Sequence, residues 1–456
     1  MVEGNWKKSS LIIELVLLGL CALWMGLCFW AAGPQRDPTI NPIPLMSWQY
    51  ASFLGYLPAM WLVYRLKDNS ARPLLLILIV VFAVGLRLVT FIRTPNLSSD
   101  VYRYVWDGRL PNVGVNPYLY VPADEHLTAY RNRIWEQVSC KRFEAVYPPF
   151  TSATFAGLYR IAPDNPDAFR LFFTLMDLGC IGLLVLLLRQ LKKPASLVAL
   201  YALHPLAITE FAASSHLDSL AIFFMLAAMF YWLKDRPQAC GIWLGLAVMT
   251  KAFPVLILPF LMKRGGKKLL LPFMVVCLLC TLPFMGAGKA FFSGMIHYAS
   301  GWESNPSLFS IVKSLTSQLP HAFIWPRLIM LGLYLAFYIW LFRSAGNSHQ
   351  RIGLSLTYAY GCYYLFSGTI FPWYLTIILP LLCLFFSPGL WLWTITVGLH
   401  HVRMFTNPEH LIIWVFIQYL PVYTILVPEL YLYAKQRALH RILQGRLEPA
   451  ADLSSS

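Results

Sequence analysis

Long runs of hydrophobic residues, separated by short polar stretches, fill most of this chain. Runs of roughly 20 apolar residues recur from one end to the other, and a helix of that length crosses a hydrocarbon core of about 30 Å. The pattern predicts an all-α polytopic membrane protein, with residues 1–456 as a single integral-membrane domain. The twelve predicted membrane helices lie at about residues 10–32, 47–65, 73–92, 168–189, 195–213, 216–234, 268–286, 322–343, 352–368, 370–387, 389–405 and 411–433.

The composition agrees with this class. Hydrophobic residues make up 58% of the chain and charged residues 12%, and the mean hydropathy is +0.58. Soluble proteins carry about 25% charged residues. The net charge of +15 would also suit a nucleic-acid-binding protein. In a membrane protein, however, the positive-inside bias accounts for such an excess, and we expect no nucleic-acid partner.

The basic clusters between the apolar runs predict the orientation. When all of them are placed in the cytoplasm with the N-terminus, residues 93–167 become the first large extracytoplasmic loop. Residues 434–456 then form a basic cytoplasmic tail. We expect a multi-pass protein of a bacterial inner or plasma membrane, because the chain is compact and has no long loops that carry glycosylation sites.

Residues 239–262 break the charge pattern, because they are apolar but have basic residues on both flanks. The motif TKAFP around Lys251 divides the run into halves of about 11 residues, each too short to cross a membrane. This predicts a re-entrant hairpin with Lys251 near its outer tip. The alternative is an ordinary span with irregular flanking charges.

Ionisable residues gather at the predicted outer half of the membrane, where each is costly and typical of a functional site. They lie near the segment SSDVYRYVWDGR, residues 98–109, which combines acids, arginines and aromatic rings. Chance clustering at helix ends is the alternative for each of them. The group comprises Arg87, Glu210, His216, Asp218, Lys251, His400, His401 and Arg403.

Such a set suits a lipid-linked anionic substrate. The basic groups can hold a phosphate whose lipid tail stays in the bilayer. Aromatic faces suit the apolar face of a sugar ring, and a carboxylate within reach of a hydroxyl can act as a general base.

Four ordered motifs resemble those of the polyprenyl-phosphate-sugar-dependent glycosyltransferases of the GT-C superfamily, in their bacterial mannosyltransferase-like branch. The resemblance covers roughly residues 85–265, whereas the C-terminal half is similar in hydropathy only. The motifs are SSDVYRYVWDGRLPNVGVNPYLYVP, VYPPFTSATFAGLY, HLDS and GLAVMTKAFPVLILP. The family often has paired acids in this loop, but here Asp100 has no adjacent acid and Asp107 follows seven residues later.

The resemblance implies an inverting transfer of a hexose, with mannose favoured, from a polyprenyl-phosphate sugar donor to a hydroxyl of a glycan or glycolipid acceptor. The reaction would take place on the extracytoplasmic face, beside membrane lipid and without a metal or other cofactor. Asp100 would be the catalytic base. The candidates for binding the donor phosphate are Lys251, Arg403, Arg103 and His401. The candidates for binding the sugar or the acceptor are Tyr102, Trp106, Asp107, Tyr147, His216 and Asp218.

Each of these assignments has a purely structural alternative. Asp100 could cap the helix that follows it, and Asp218 could cap its own helix. Arg103 lies at helical spacing from Asp100 and could only pair with it. Asp107 precedes Gly108 and is more typical of a turn, although it stays an alternative base.

Two other functions fit parts of the pattern. A flippase for a lipid-linked sugar would also have a basic, aromatic outer cavity, but it needs polar groups on both sides of the midplane. A glycan polymerase or ligase with a polyprenyl-diphosphate donor is typically rich in loop arginines, whereas this loop opens with an acid. The acceptor and the linkage do not follow from the sequence.

Overall fold

The computed structural model describes residues 2–32, 43–68, 72–92, 98–400 and 411–447. These residues fold almost wholly into helices, and no strand occurs among them. The predicted all-helical class is therefore confirmed for this part of the chain. The α-helices are α1 (Val2–Ala31), α2 (Ile43–Ala51), α3 (Phe53–Leu66), α4 (Arg72–Phe91), α5 (Asp100–Asn112), α6 (Arg133–Gln137), α7 (Pro149–Ile161), α8 (Pro166–Gln190), α9 (Ala199–Ala202), α10 (Pro205–Ile208), α11 (Asp218–Leu233), α12 (Pro237–Thr250), α13 (Leu258–Gly265), α14 (Leu270–Thr281), α15 (Ser293–Gly301), α16 (Leu308–Leu315), α17 (Trp325–Ser344), α18 (His349–Phe366), α19 (Leu379–Leu384), α20 (Pro388–Thr396) and α21 (Leu411–Leu447).

Shorter helical segments join these helices. A π-helical turn, Thr209–Ala213, follows α10 directly. The 3₁₀ segments are Glu125–Tyr130, Ala195–Val198, Phe253–Ile257, Gly266–Leu269, Leu282–Phe292 and Pro372–Ile377.

Six helical stretches of the described chain are long and apolar enough to cross a membrane. A seventh results if Ala195–Ala202 and Pro205–Ala213, which are bent by 59°, are taken as one span. The predicted count of twelve is therefore not confirmed. Several predicted spans are too short as single helices: α11 has 16 residues, a length of about 24 Å. The six stretches are Leu11–Ala31, Arg72–Phe91, Pro166–Gln190, Phe253–Gly301, Trp325–Ser344 and Ile413–Gln436.

The outer faces of several helices are apolar. No residue of α14 is buried, although its sequence is LLPFMVVCLLCT. On α4, Ile79 is buried whereas Ile77 and Leu88 are exposed. Large apolar surfaces of this kind are unfavourable in water and suit contact with lipid. They support the assignment to membrane proteins.

Close packing of α5 against α7 fixes the loop that carries the first motif. A side chain at Gly108 would place its Cβ 2.4 Å from the carbonyl oxygen of Phe155. Only glycine permits this approach without displacing backbone, which gives the glycine of the WDG sequence a structural reason. The two helices thereby hold the residues on the other faces of α5 in place.

A buried ion pair joins α4 to α8. Arg87 pairs with Asp177, and it also donates to the carbonyl oxygen of Ala202 at 2.7 Å. The hydroxyl of Tyr201 donates to Asp177 at 2.6 Å. Asp177 is therefore a bonding partner within the bundle, and Arg87, which was predicted from the sequence to belong to the outer cluster, serves the same bundle.

The apolar run around Lys251 turns back on itself. Helix α12 ends at Thr250, Lys251 has extended backbone angles, and the chain continues through Phe253–Ile257 into α13. At the other end, Arg264 forms an ion pair with Asp235 at 3.4 Å. The two ends of the run are therefore neighbours, and Lys251 lies at the turn.

Candidate active site

A cavity of about 570 Å³ lies between the first predicted outer loop and four later parts of the chain. Its wall includes Asp100 at the start of α5 and Lys251 at the turn after α12. The later parts are residues 251–253, 295–309, 327 and 363–374. The cavity therefore unites chain segments that are far apart in sequence. Its most relevant lining residues are Asp100, Arg103, Tyr104, Asp107, Glu144, Tyr147, Lys251, Tyr298, Trp302, Arg327, Phe371, Trp373 and Tyr374.

Asp100 is the first residue of α5, and its side chain is 31% exposed toward the cavity. Its backbone N–H donates to the hydroxyl oxygen of Ser98 at 3.2 Å. The helix start is therefore supported by a serine, and the Asp100 carboxylate lies 3.7 Å from His216 Nε2. A carboxylate in this position is accessible to a substrate hydroxyl.

His216 lies behind Asp100, in the turn before α11 and outside the candidate membrane spans. Its Nδ1 is 2.9 Å from Glu210 Oε2, and its ring stacks on Trp373 with centroids 4.3 Å apart. Burial alone lowers the pKa of His216, but the carboxylates of Asp100 and Glu210 outweigh this and raise it to about 9. The imidazole is therefore cationic at neutral pH, between two acids.

Lys251 and Asp218 form the second acid–base pair. Lys251 Nζ lies 2.5 Å from Asp218 Oδ1 and 4.6 Å from the centre of the Tyr374 ring. Asp218 is the first residue of α11 and is buried. Because an ammonium group has three N–H donors, Lys251 keeps donors for an anion in the cavity.

Arg103 pairs with Asp107, one turn along α5, at 2.8 Å and not with Asp100. Its Nη1 also donates to the carbonyl oxygen of Phe143 at 3.0 Å. Burial raises the pKa of Asp107 above its ordinary value, and the charge of Arg103 limits the rise. Asp107 thus fixes an arginine that faces the cavity, although it also contributes to the wall.

The NPY and YPP motifs hold the loop around Tyr147. The hydroxyl of Tyr118 donates to the Tyr147 carbonyl at 2.7 Å, and Asn116 Nδ2 donates to the Phe284 carbonyl at 3.0 Å. The hydroxyl of Thr151 donates to the carbonyl oxygen of Thr250, next to Lys251, at 2.6 Å. These bonds connect the first two motifs to the TKAFP turn.

The remaining predicted residues lie elsewhere. Trp106 is fully buried in the core, and Tyr102 is partly buried against it; neither belongs to the cavity wall. His401 and Arg403 lie outside the described residues. Their neighbour His400 is buried, with Nε2 3.4 Å from the hydroxyl oxygen of Ser304.

The sequence did not point to Arg327 or to the aromatic part of the wall. Arg327 lies in the first turn of α17 and pairs with Glu303 at 3.1 Å. Near the start of an apolar run such an arginine is indistinguishable from a charge that sets orientation. Trp302, Trp373 and Tyr374 belong to segments without a recognisable motif, and hydropathy does not distinguish their rings from those of other aromatic residues.

A second link connects the first predicted outer loop to residues 297–302. His297 Nδ1 lies 3.0 Å from Glu144 Oε2, and Phe143 contacts Trp302 edge to face at 4.9 Å. The part of the first predicted outer loop around Glu144 therefore contacts residues 297–302. Within the described chain, no group of three His, Cys, Asp or Glu residues is arranged to hold a metal ion.

Residues 17–264 match the N-terminal domain of alpha-(1→6)-mannopyranosyltransferases. This region covers more than half of the chain and contains Asp100, His216, Asp218 and Lys251. No curated protein and no solved structure gives a significant match. The resemblance of the motifs to GT-C mannosyltransferases is confirmed, and the chain belongs to the alpha-(1→6)-mannopyranosyltransferase family.

Proposed function

We propose that the protein is an inverting mannosyltransferase. It moves mannose from a polyprenyl-phosphate mannose to a hydroxyl of a lipid-linked or surface glycan, on the extracytoplasmic side of a bacterial plasma membrane. The observation that carries the proposal is the presence of Asp100 and Lys251 on the wall of one cavity, in a member of a mannosyltransferase family. A base for the acceptor and a cation for the donor phosphate are what this reaction needs.

Asp100 takes the proton of the acceptor hydroxyl as the oxygen attacks the anomeric carbon. The bond between that carbon and the phosphate oxygen breaks on the opposite face, and its electron pair leaves with the polyprenyl phosphate. Because the substitution inverts the anomeric carbon, an α-linked product of the kind named by the family requires a β-linked donor.

The leaving group is a phosphate, so it needs positive charge and no proton from a general acid. Lys251, at the turn after α12, supplies that charge. Its Nζ lies 2.5 Å from Asp218 Oδ1, which holds the ammonium group in place. Arg103 is held by Asp107 and the Phe143 carbonyl in the same wall. These preorganised cations carry the charge stabilisation in the proposed reaction, which therefore uses no metal ion.

The first test is mannosyl transfer by the purified protein in vesicles, with a polyprenyl-phosphate mannose and a mannan oligosaccharide acceptor. We expect Asp100→Asn to lower the rate at least about 100-fold, because an amide cannot accept the proton. Wild-type activity should persist in EDTA. A thermal unfolding curve like that of the wild type shows that the variant is folded.

The donor comparison separates the rival functions. Transfer from the monophosphate donor but not from a diphosphate-linked sugar supports the proposal, and the reverse favours a polymerase or ligase. Movement of the lipid-linked sugar across the vesicle without transfer would instead identify a flippase. An Asp100→Asn variant with full activity contradicts the assignment of the base.

The side of the membrane can be tested with one native cysteine. Among the nine cysteines, Cys140 is the exposed one, and it lies on the cavity wall. An impermeant maleimide added to right-side-out vesicles is expected to label it, at a pH above 8 because burial raises the pKa of this thiol. Labelling only after the vesicles are opened, with Cys140→Ser as the control, would place the cavity in the cytoplasm.

A further inference from the structure

His216 has an unusual place beside the cavity. It does not line the cavity wall. It lies directly behind Asp100, and its ring contacts three side chains there. Glu210 bonds its Nδ1 at 2.9 Å, Trp373 stacks on its ring, and its Nε2 lies 3.7 Å from Asp100 Oδ2. The last distance is short enough for an ion pair and too long for a hydrogen bond.

The two carboxylates that face His216 come from different elements of the fold. Asp100 comes from α5, and Glu210 from the π-helical turn Thr209–Ala213. Trp373, from Pro372–Ile377, faces the ring without charge. His216 and Glu210 are each about 1% exposed. A buried carboxylate is costly without a partner, so the glutamate and the imidazolium stabilise one another.

We propose that His216 is a positioning residue for the base: Glu210 and Trp373 hold its imidazolium behind Asp100, and its Nε2–H keeps the Asp100 carboxylate turned toward the acceptor hydroxyl. This inference rests on the proposed role of Asp100. No bond to His216 is made or broken in the transfer. The acceptor proton goes to Asp100, and His216 keeps its own two protons. Hydrogen bonds at active sites are often long without substrate and shorten once it binds.

The test is the pH dependence of kcat between pH 6.5 and 10.5, with vesicle-bound protein and saturating polyprenyl-phosphate mannose. Wild-type kcat should fall as the pH rises through about 9, where His216 loses its proton. In His216→Gln the amide is neutral at every pH. At pH 7.5 we expect kcat to decrease by about tenfold or less and the donor KM to change little. The fall of kcat near pH 9 should be absent from this variant.

Two further variants exclude a merely structural role. Glu210→Gln removes one of the carboxylates that raise the pKa of His216, so the alkaline fall should move to lower pH. His126→Gln should behave as the wild type, because His126 is 74% exposed, pairs with Asp124 and lies off the cavity wall.

A His216→Gln protein with wild-type kcat, or with the same alkaline fall, overturns the proposal. If neither variant folds, the pH profiles of kcat for the wild type and for Lys251→Arg provide the test. A fall in kcat near pH 9 that persists in Lys251→Arg supports the positioning role of His216. A wild-type kcat that does not change near pH 9 rejects that role. Absence of any transfer by the wild type would refute the proposed function, and this inference with it. Transfer with unaltered His216 variants would refute the inference alone.

Discussion

The two parts of the chain that enclose the cavity differ in what they contribute. The N-terminal part, which matches the family, provides charged groups that are each held by a partner: Asp100 by His216, and Lys251 by Asp218. The C-terminal part, from residue 295 to 374, provides mainly rings. Those on the cavity wall are Tyr298, Trp302, Phe309, Tyr363, Phe371, Trp373 and Tyr374.

This difference matches a division between chemistry and recognition. Charges that act on a transition state must be fixed in advance, because reorienting them during the reaction would cost the energy they supply. Rings need only present an apolar face of the right shape to a sugar or lipid. Even so, Trp373 supports the charged part by stacking on His216, so the two parts are coupled at one contact.

The largest effect should come from the N-terminal side. Lys251→Met removes the proposed phosphate cation and leaves Asp218 buried without its partner, so both activity and stability should fall. Transfer should decrease about 100- to 1,000-fold. Adding Asp218→Asn to this variant should restore the unfolding temperature, because the unpaired charge is gone, but not the rate. An active double variant would show that Lys251 serves folding only.

An intermediate effect is expected on the C-terminal side. Trp302→Ala removes a ring that packs on Phe143 and Tyr298 in the wall, so KM should rise roughly tenfold while kcat changes little. Steady-state kinetics for donor and acceptor will tell which substrate the ring binds. Trp325→Ala, at an exposed ring off the wall, serves as the control. If Trp302→Ala lowers kcat and leaves KM unchanged, the division between chemistry and recognition fails.

The smallest effect should come from the second acid of the first motif. Asp107→Asn keeps an oxygen that accepts from Arg103 Nε, which lies 2.8 Å from Asp107. We expect a loss of less than about tenfold, far smaller than that of Asp100→Asn, since a neutral hydrogen bond replaces a charged one. The same transfer assay measures both. A loss as large as that of Asp100→Asn would make Asp107 the base.

Some features followed from local sequence because their cause is local. Period and length of the apolar runs predict helices, and the polar TKAFP motif with its flanking charges predicts a break at Lys251. The structure ends α12 at Thr250. The count of membrane spans did not follow. The break between Ala202 and Pro205 contains only Leu203 and His204, and so short an interruption changes the hydropathy averaged over a whole span very little.

The partners of the charged residues were decided only by the tertiary structure. Arg103 is at helical spacing from both Asp100 and Asp107, so the sequence cannot choose between them; the packing of α5 directs it to Asp107. Arg87 and Asp177 are 90 positions apart and meet only in the folded bundle.

The sequence by itself therefore determined that the chain is helical, apolar and marked by the motifs of a mannosyltransferase family. What it could not determine is that Asp100 is backed by His216, Glu210 and a stacked Trp373. The reason is physical: helix formation and lipid exposure depend on neighbours along the chain. The electrostatic state of a site depends on groups brought together from three distant segments, and only folding places them.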